Sequence, residues 1–388
     1  MKALQSVRHR WLGPTETWLY NQVRHLPASV EPHVVCQVVE HADRFPTAHV
    51  HAASATPSFG RVTDRLLTAL RLRRWPGHVA RVGRHVGADL LHAHFAPWAW
   101  TVRGAAQRLG VPLVVSFYGY DVNQLPSAHP HWRARYAELF DAAALVLCEG
   151  EFMARAIAQL GCPPERLRVQ RLGVDVAGIR FQPRAPLPSG PLRVLMASAF
   201  REKKGIPIGL EALTRLSLRR PVELTLIGDA SDLEASRVEK RLIDAALERA
   251  RFPVRRLGFQ PPSVLFSEAE RHDLFLAPSH TASDGDTEGG APIALIEMAA
   301  TGIPVVSTTH CDIPGVVADG ATGLLAREGD VDDLVATLER ALQLGSRWLE
   351  LTCAARAHVE ARFDARAQGE GLAALYREVV ERGRGRHA

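Results

Sequence analysis

Short apolar runs rich in Val, Ile and Leu alternate along this chain with longer segments of helical periodicity. In the first half the runs are KALQSVRH from Lys2, HVVCQVVE from His33, ADLLHAHF from Ala88, PLVVSFYG from Pro112, ALVLCEG from Ala144 and RLRVQRL from Arg166. In the second half they are LRVLMASA from Leu192, VELTLIGD from Val222, VRRLGF from Val254, DLFLAPS from Asp273 and PVVST from Pro304. Several are apolar almost throughout, the pattern of strands buried on both faces of a parallel sheet. Strands alternating with helices over both halves predict an α/β chain of two Rossmann-like, doubly wound domains. Ligands bind such sheets at the carboxyl ends of the strands. Two such domains facing a cleft would therefore hold the site between them, with the motifs just after strands.

The division between the halves is visible in composition. Gly173–Pro191 reads GVDVAGIRFQPRAPLPSGP, with four prolines and three glycines, as a linker does. The expected organisation is a first domain over residues 1–175, a linker over 176–191, a second domain over 192–365 and a terminal helix over 366–388. The tail from about Asp330 is helical in pattern and rich in Arg and Glu.

Length and composition agree with this picture. The 388 residues exceed one ordinary core, and a 46% apolar fraction is globular. No apolar run approaches the roughly 20 residues of a membrane-spanning helix. MKALQSVRHRW places its apolar patch before its basic residues, the wrong order for a signal peptide. Cys36, Cys148, Cys162, Cys311 and Cys353 form no CxxC and no zinc-like cluster, as expected of reduced thiols. The expected location is the cytoplasm.

The net charge of +5 is carried almost wholly by arginine, because lysine occurs only at Lys2, Lys203, Lys204 and Lys240. The adjacent pair Lys203-Lys204 stands out for that reason. Nucleic-acid binding would rest on basic pI alone and is not expected. The stretch Arg61–Arg84, with Leu66, Leu67 and Leu70, reads either as a solvated helix face or as a peripheral contact with anionic lipid at the inner face of the membrane.

The segment from Thr281, TASDGDTEGGAPIALIEMAATGIPVVST, carries the most chemistry. It follows the run DLFLAPS. Gly289-Gly290 lets backbone approach a ligand closely. Pro292 suits the first turn of a helix that runs from Ile293 to Thr301 and stops at Gly302. A glycine-rich turn opening a helix presents free N–H groups and a positive dipole end, which suits a phosphate or diphosphate. Glu297 is the sole formal charge between Gly289 and Cys311. An unpaired carboxylate there would cost several kcal/mol, so it needs donors. They are either the two hydroxyls of a vicinal diol such as a nucleotide ribose, or an internal arginine or loop N–H. A second phosphate candidate is REKKGIPIGLEAL, where Arg201, Lys203 and Lys204 cluster at a strand-to-helix turn; alone it also reads as a solvated basic loop. In the first half HAHFAPWAW and SFYGYDV each end a predicted strand. His94, Tyr118 and Asp121 could converge there to bind hydroxyls or exchange protons, or could serve packing and strand capping.

Together these stretches resemble the retaining, GT-B-fold glycosyltransferases of group 1, or family 4. The resemblance covers nearly the whole chain. PTETWLYNQVRHL from Pro14 is similar to the first loop and helix, and HAHF and SFYGYDV to the acceptor-side motifs. FREKKGIPIGLEAL, LTLIGDA, RLGFQPP and the long block from LAPSH to GLLA resemble the donor domain in order. The likeness is strongest to the subgroup that makes exopolysaccharide, colanic-acid-type and lipopolysaccharide sugars. It implies that Glu297 holds the ribose and Glu288 the hydroxyls of the donor sugar. Lys204, with Arg201 nearby, would hold the diphosphate, and Gly289, Gly290, Ala291 and Pro292 would lie against sugar and phosphate. Gly13 and Asp229 complete the implied donor set, while His94, Tyr118 and Asp121 join Glu288 at the reacting centre. The terminal helix would cross back to the first domain.

Four positions depart from the family pattern. Eight residues, not seven, separate Glu288 from Glu297. Tyr118 stands where many members carry histidine, Ser198-Ala199 where Gly-Arg is usual, and Gly315 where Glu often follows Ile-Pro. The resemblance implies transfer of a hexose from a nucleotide diphosphate sugar to a glycan or polyprenyl-linked glycan, with retention. It implies no cofactor, no metal and no enzymic nucleophile. The triplet Asp284-Gly285-Asp286 resembles a metal-binding DxD but is read as non-metal. A catalytically degenerate subunit that binds a sugar nucleotide without turnover is the alternative.

Overall fold

The computed structural model of the chain describes residues 1–13, 16–55, 76–184 and 189–385. It separates into two compact units. The first comprises Met1–Gly173 with Ala365–Ala388, and the second Val174–Asp364.

In the first unit, among the described residues, seven parallel strands form one sheet in the order β5-β3-β1-β6-β7-β8-β9. They are β1 (Lys2–Ser6), β3 (Glu31–Cys36), β5 (Val50–Ala52), β6 (Leu90–His94), β7 (Leu113–Ser116), β8 (Leu145–Cys148) and β9 (Leu167–Val169). The short β2 (Arg10–Trp11) and β4 (Val38–Val39) pair separately. β6, β7 and β8 are buried at every position, which is why they read as continuous apolar runs. One face packs on Ala96–Leu109 and Trp132–Ala142 through Val102, Ala106, Leu139 and Phe140. The other is covered by the helix Ala365–Gly385, whose Leu372, Ala373, Tyr376, Val379 and Val380 meet Ala3, Leu90, Val114 and Leu147.

The second unit holds a six-stranded parallel sheet among the described residues, in the order β12-β11-β10-β13-β14-β15. Its strands are β10 (Leu192–Ala197), β11 (Val222–Ile227), β12 (Val254–Gly258), β13 (Leu274–Ala277), β14 (Val305–Thr308) and β15 (Leu324–Ala326). Helices Ile206–Ser217 and Val331–Gln343 contribute to one core with Leu213, Leu216, Leu334 and Leu338. Helices Ile293–Thr301 and Arg347–Phe363 contribute to the other with Leu295, Met298, Val359 and Phe363.

Each of the eleven predicted runs contains or overlaps a strand of a sheet. β5 and β15 were not anticipated; each has only three residues, too few for a period to show. Val174, Val176 and Ile179 lie in the second unit's core, although the sequence places them at the end of the first domain and in the linker. Three apolar residues there outweigh the local proline content. The basic stretch from Arg61 to Trp75 lies outside the described residues, and Pro76–Val86 is helical. No helix among the described residues is long and apolar enough to cross a membrane.

Candidate functional site

Two loop-to-helix junctions of the second unit assemble the charged residues singled out above. After β10 the chain makes a tight turn over Glu202–Lys204 and starts a helix at Ile206. Gly205 makes this turn with φ +62°, and a Cβ there would sit 1.9 Å from the Pro278 carbonyl oxygen. The glycine therefore lets the basic turn lie directly on the end of β13. After β13 the chain passes through Ser279 and Glu288 to Gly289, at φ +76°, and enters the helix Ile293–Thr301. Pro292 is the residue ahead of that helix rather than in its first turn, and no side chain caps it. Gly302 ends it in the left-handed region.

Glu288 is the centre of the cluster. Lys204 Nζ donates to its Oε2 at 2.7 Å and Ser279 Oγ to its Oε1 at 2.8 Å. Its backbone N–H donates to His310 Nε2 at 3.1 Å. His310 Nδ1 contacts the Glu328 carboxylate, which requires the tautomer protonated at Nδ1. Burial alone would raise the Glu288 carboxyl, but the Lys204 and Lys203 ammonium groups outweigh it and hold the group at about 2. Arg201 and Lys203 do not stand free beside Lys204. Arg201 donates to Asp286 Oδ2 at 2.8 Å, while Lys203 donates to Asp286 Oδ1 at 3.1 Å and to the Thr287 carbonyl at 2.7 Å. Asp286 is buried, and Asp284 accepts the Asp286 N–H at 2.9 Å. The Asp-Gly-Asp triplet thus anchors the basic turn. Asp229, expected among donor-binding residues, instead pairs with Lys240 Nζ at 2.6 Å.

Glu297 differs from every other acid in this region. It lies on the helix between the buried Ile296 and Met298, and among the described residues no side chain or backbone donor reaches it. Burial, uncompensated, raises its carboxyl to about 7. Of the two donor sources open for Glu297, the internal one is not found.

In the first unit His94, Tyr118 and Asp121 do come together, but their polar atoms turn inward. His94 Nδ1 accepts from the Tyr118 hydroxyl at 2.8 Å, and His94 Nε2 donates to Gln5 Oε1 at 3.0 Å. Gln5 Nε2 donates to the Tyr376 hydroxyl at 3.0 Å. Tyr376 donates to His92 Nδ1 at 2.6 Å, and His92 Nε2 to Ser116 Oγ at 2.8 Å. One set of tautomers satisfies the whole chain of bonds. Burial pushes His94 down to about 3, which keeps it neutral. Asp121 Oδ2 accepts the N–H groups of Ala96 at 3.1 Å and Tyr118 at 3.2 Å, tying the SFYGYDV turn to the start of the helix Ala96–Leu109. Its Oδ1 has no partner, and burial raises the carboxyl to about 7. These three residues, expected at the reacting centre, are in this conformation bonded to neighbouring protein groups, Asp121 to the backbone of the turn and His94 to Tyr118 and Gln5. Gly13 donates its N–H to Glu16 Oε2 at 2.7 Å, so in this conformation that donor is taken.

The network has a measurable weight. Tyr376→Phe deletes the hydroxyl that serves both Gln5 and His92 and strands two buried groups. It should cost about 1–3 kcal/mol, read as a lower urea midpoint with an unchanged slope.

Comparison with known proteins decides the family. A model described as "Glycosyltransferase Family 4" matches residues 15–177, and one described as "Glycosyl transferases group 1" matches residues 191–344. The amylovoran biosynthesis glycosyltransferase AmsK of Erwinia amylovora is 33% identical over 311 residues, covering 79% of this chain and 73% of that one. This chain belongs to the group 1, family 4 glycosyltransferases. The putative colanic acid biosynthesis glycosyltransferase WcaL of Salmonella typhimurium is 32% identical over 308 residues, 77% of this chain and 73% of that one. The Anabaena protein HepE, crystallised with UDP-glucose, superposes with a TM-score of 0.76 at 18% identity, over 97% of this chain and 100% of that one. That likeness shows the fold, GT-B.

For this glycosyltransferase the sequence did not point to Ser279 and His310, which hold Glu288, to Glu328, which orients His310, to Gln5, which holds His94, or to Tyr376, which holds Gln5 and His92. His310 follows β14 within two residues, so the strand-end rule applied to PVVST would have found it. Tyr376 is separated from His92 by 284 positions, and no local pattern points from one to the other.

Proposed function

We propose that this glycosyltransferase moves a hexose from a nucleotide diphosphate sugar to a hydroxyl of a glycan or polyprenyl-linked glycan, with retention, in exopolysaccharide synthesis. The observation that carries the donor assignment is Glu297: a half-buried carboxylate without an internal donor among the described residues, on the helix that follows the lysine–glutamate pair. A ribose diol supplies the missing two O–H donors. The diphosphate lies by the uncapped starts of the helices at Ile206 and Ile293 and draws Lys204 toward itself. Glu288 then exchanges the lysine for hydroxyls of the sugar. The acceptor oxygen bonds to the anomeric carbon as the bond to the diphosphate oxygen breaks, and the acceptor proton leaves with the diphosphate. Lys204 and the helix N–H groups stabilise the departing charge, so no metal is called for.

Substrates fit the names of similar proteins: AmsK and WcaL are titled for amylovoran and colanic acid synthesis, and HepE was crystallised with UDP-glucose. A polyprenyl-linked acceptor would bring the protein to the inner face of the membrane. A second reading, a subunit that binds sugar nucleotides without turnover, is favoured by one observation: both ring nitrogens of His94, the Tyr118 hydroxyl and Asp121 Oδ2 are engaged with protein.

The test is calorimetric titration with UDP-, GDP- and ADP-sugars in EDTA, beside Glu297→Ala. One nucleotide class should bind and weaken at least about tenfold in the variant, as loss of hydrogen bonds to a charged group implies. Product formation with a lipid-linked acceptor separates the two readings. Absence of binding across the panel would overturn both.

A further inference from the structure

The edge strand β5 runs parallel to β3, with Val34 beside Val50 and Val35 beside His51. Side chains alternate between faces along a strand. Glu31 and His33 of β3 therefore share a face with His49 and His51. The structure brings these four together at the sheet edge. His33 Nε2 is 3.0 Å from Glu31 Oε1, and His49 Nε2 is 3.5 Å from the same oxygen. One ligand atom from each of the three lies within 4.8 Å of the others. The His33 ring stacks on His49 with centroids 4.7 Å apart. Its Nδ1 lies 3.2 Å from His51 Nε2, which fixes the orientation of the ring.

We propose that Glu31, His33 and His49 bind a divalent transition-metal ion of the zinc type, with water at a fourth position. Two imidazoles and one carboxylate with an open position form a recurrent zinc set. Bonds of about 2.0–2.1 Å in a tetrahedron place ligand atoms about 3.3 Å apart. The distances of 3.0 and 3.5 Å bracket that value. Nitrogen donors select against magnesium and calcium. His51 occupies the place of the outer partner that orients a ligating histidine. His33 is buried, whereas the side chains of Glu31 and His49 are 44% and 47% exposed, so an ion has a path in. Lys2, beside Glu31 on β1, opposes an added positive charge and limits the affinity. The ion would cross-link β5 to β3 and secure a strand that, among the described residues, is paired on one side only. Every residue of this site belongs to the first unit and every donor residue assigned above except Gly13 to the second, so the two assignments fail separately.

The experiment uses full-length, untagged protein, stripped with EDTA and desalted, then titrated with Zn2+ against a chromophoric chelator. The expected result is one ion per chain, a raised Tm, and a tetrahedral Co2+ absorption spectrum on substitution. His49→Ala and Glu31→Gln, both at exposed positions, should each weaken binding at least about tenfold. Cys353→Ser, at an exposed thiol, should leave it unchanged. Absence of a stoichiometric ion, wild-type affinity in His49→Ala, or loss of the ion in Cys353→Ser would each overturn the assignment.

Discussion

Lys204→Met is expected to destabilise the free protein and to suppress transfer at once. The lysine is the nearest cation to a buried carboxylate, 2.7 Å away. Removing one member of such a pair leaves the other charge in place without compensation, typically at a cost of 3–5 kcal/mol. Ser279 still donates to Glu288, and the lysine side chain is 19% exposed, so about 3 kcal/mol is the expected loss. Glu288 would no longer be held at about 2 and would move upward, because burial would then face Lys203 alone among the ammonium groups. A carboxylate with a depressed pKa contributes stability above its unfolded value of 4.5 that is lost as pH falls toward 2. The variant should therefore lack this fall between pH 4.5 and 2, and its deficit against the native protein should shrink on acidification. In catalysis, loss of one group that stabilises the leaving diphosphate should lower kcat by about 10²–10³. The double variant Lys204→Met, Glu288→Gln separates the two effects: stability should return toward that of the native protein and activity should not. Urea unfolding and turnover measured on the native protein and both variants decide it. Unchanged turnover in Lys204→Met would remove the lysine from the donor site.

The second large effect is a proton coupled to the donor. Glu297 is raised to about 7 by burial, so near pH 6.5 much of the free protein carries it protonated. A diol that donates two hydrogen bonds favours the carboxylate, so donor binding should release up to one proton. Affinity should then rise with pH from about 6 to 8. Stability runs the other way. Between 4.5 and about 7 the folded chain keeps a proton that the unfolded chain has lost, so stability falls as pH rises through that window. The full difference would be about 3 kcal/mol, trimmed because solvent reaches part of the side chain. Asp121, raised from 3.8 to about 7, adds to the same trend. Glu297→Gln should recover about 1–3 kcal/mol at pH 8 and lose the proton release together with donor affinity. Titrations in buffers of different ionisation heat measure the proton directly. Equal heats in all buffers would separate Glu297 from the donor.

Much of this was legible along the chain. The helix Ile293–Thr301 and its stop at Gly302 follow from a turn, an apolar run and a C-cap. The continuous apolar runs gave the central strands because burial on both faces erases alternation. What escaped is what depends on partners distant in sequence. Arg201 and Lys203 look like phosphate ligands, yet Asp286 takes both across a span of more than eighty positions. His94 and Tyr118 look available at a strand end until Gln5 and Tyr376 close the network around them. Asp121 reads as an acid for chemistry, and its oxygen caps the backbone at Ala96. Residue type and spacing show where charge gathers, but only the packing shows which charges are already spent on one another.

The route of the chain through its two units has an outcome for synthesis. The second unit is continuous in sequence, whereas the first is completed by Ala365–Gly385. On the ribosome, the half that emerges first waits for the half that emerges last. Until Leu372, Tyr376 and Val380 arrive, one face of the first sheet is bare and Gln5 and His92 lack their shared hydroxyl. A frameshift or premature stop late in the reading frame therefore damages the early domain and spares the one just translated. The first unit of a nascent chain of this kind needs shelter until the helix Ala365–Gly385 has been made.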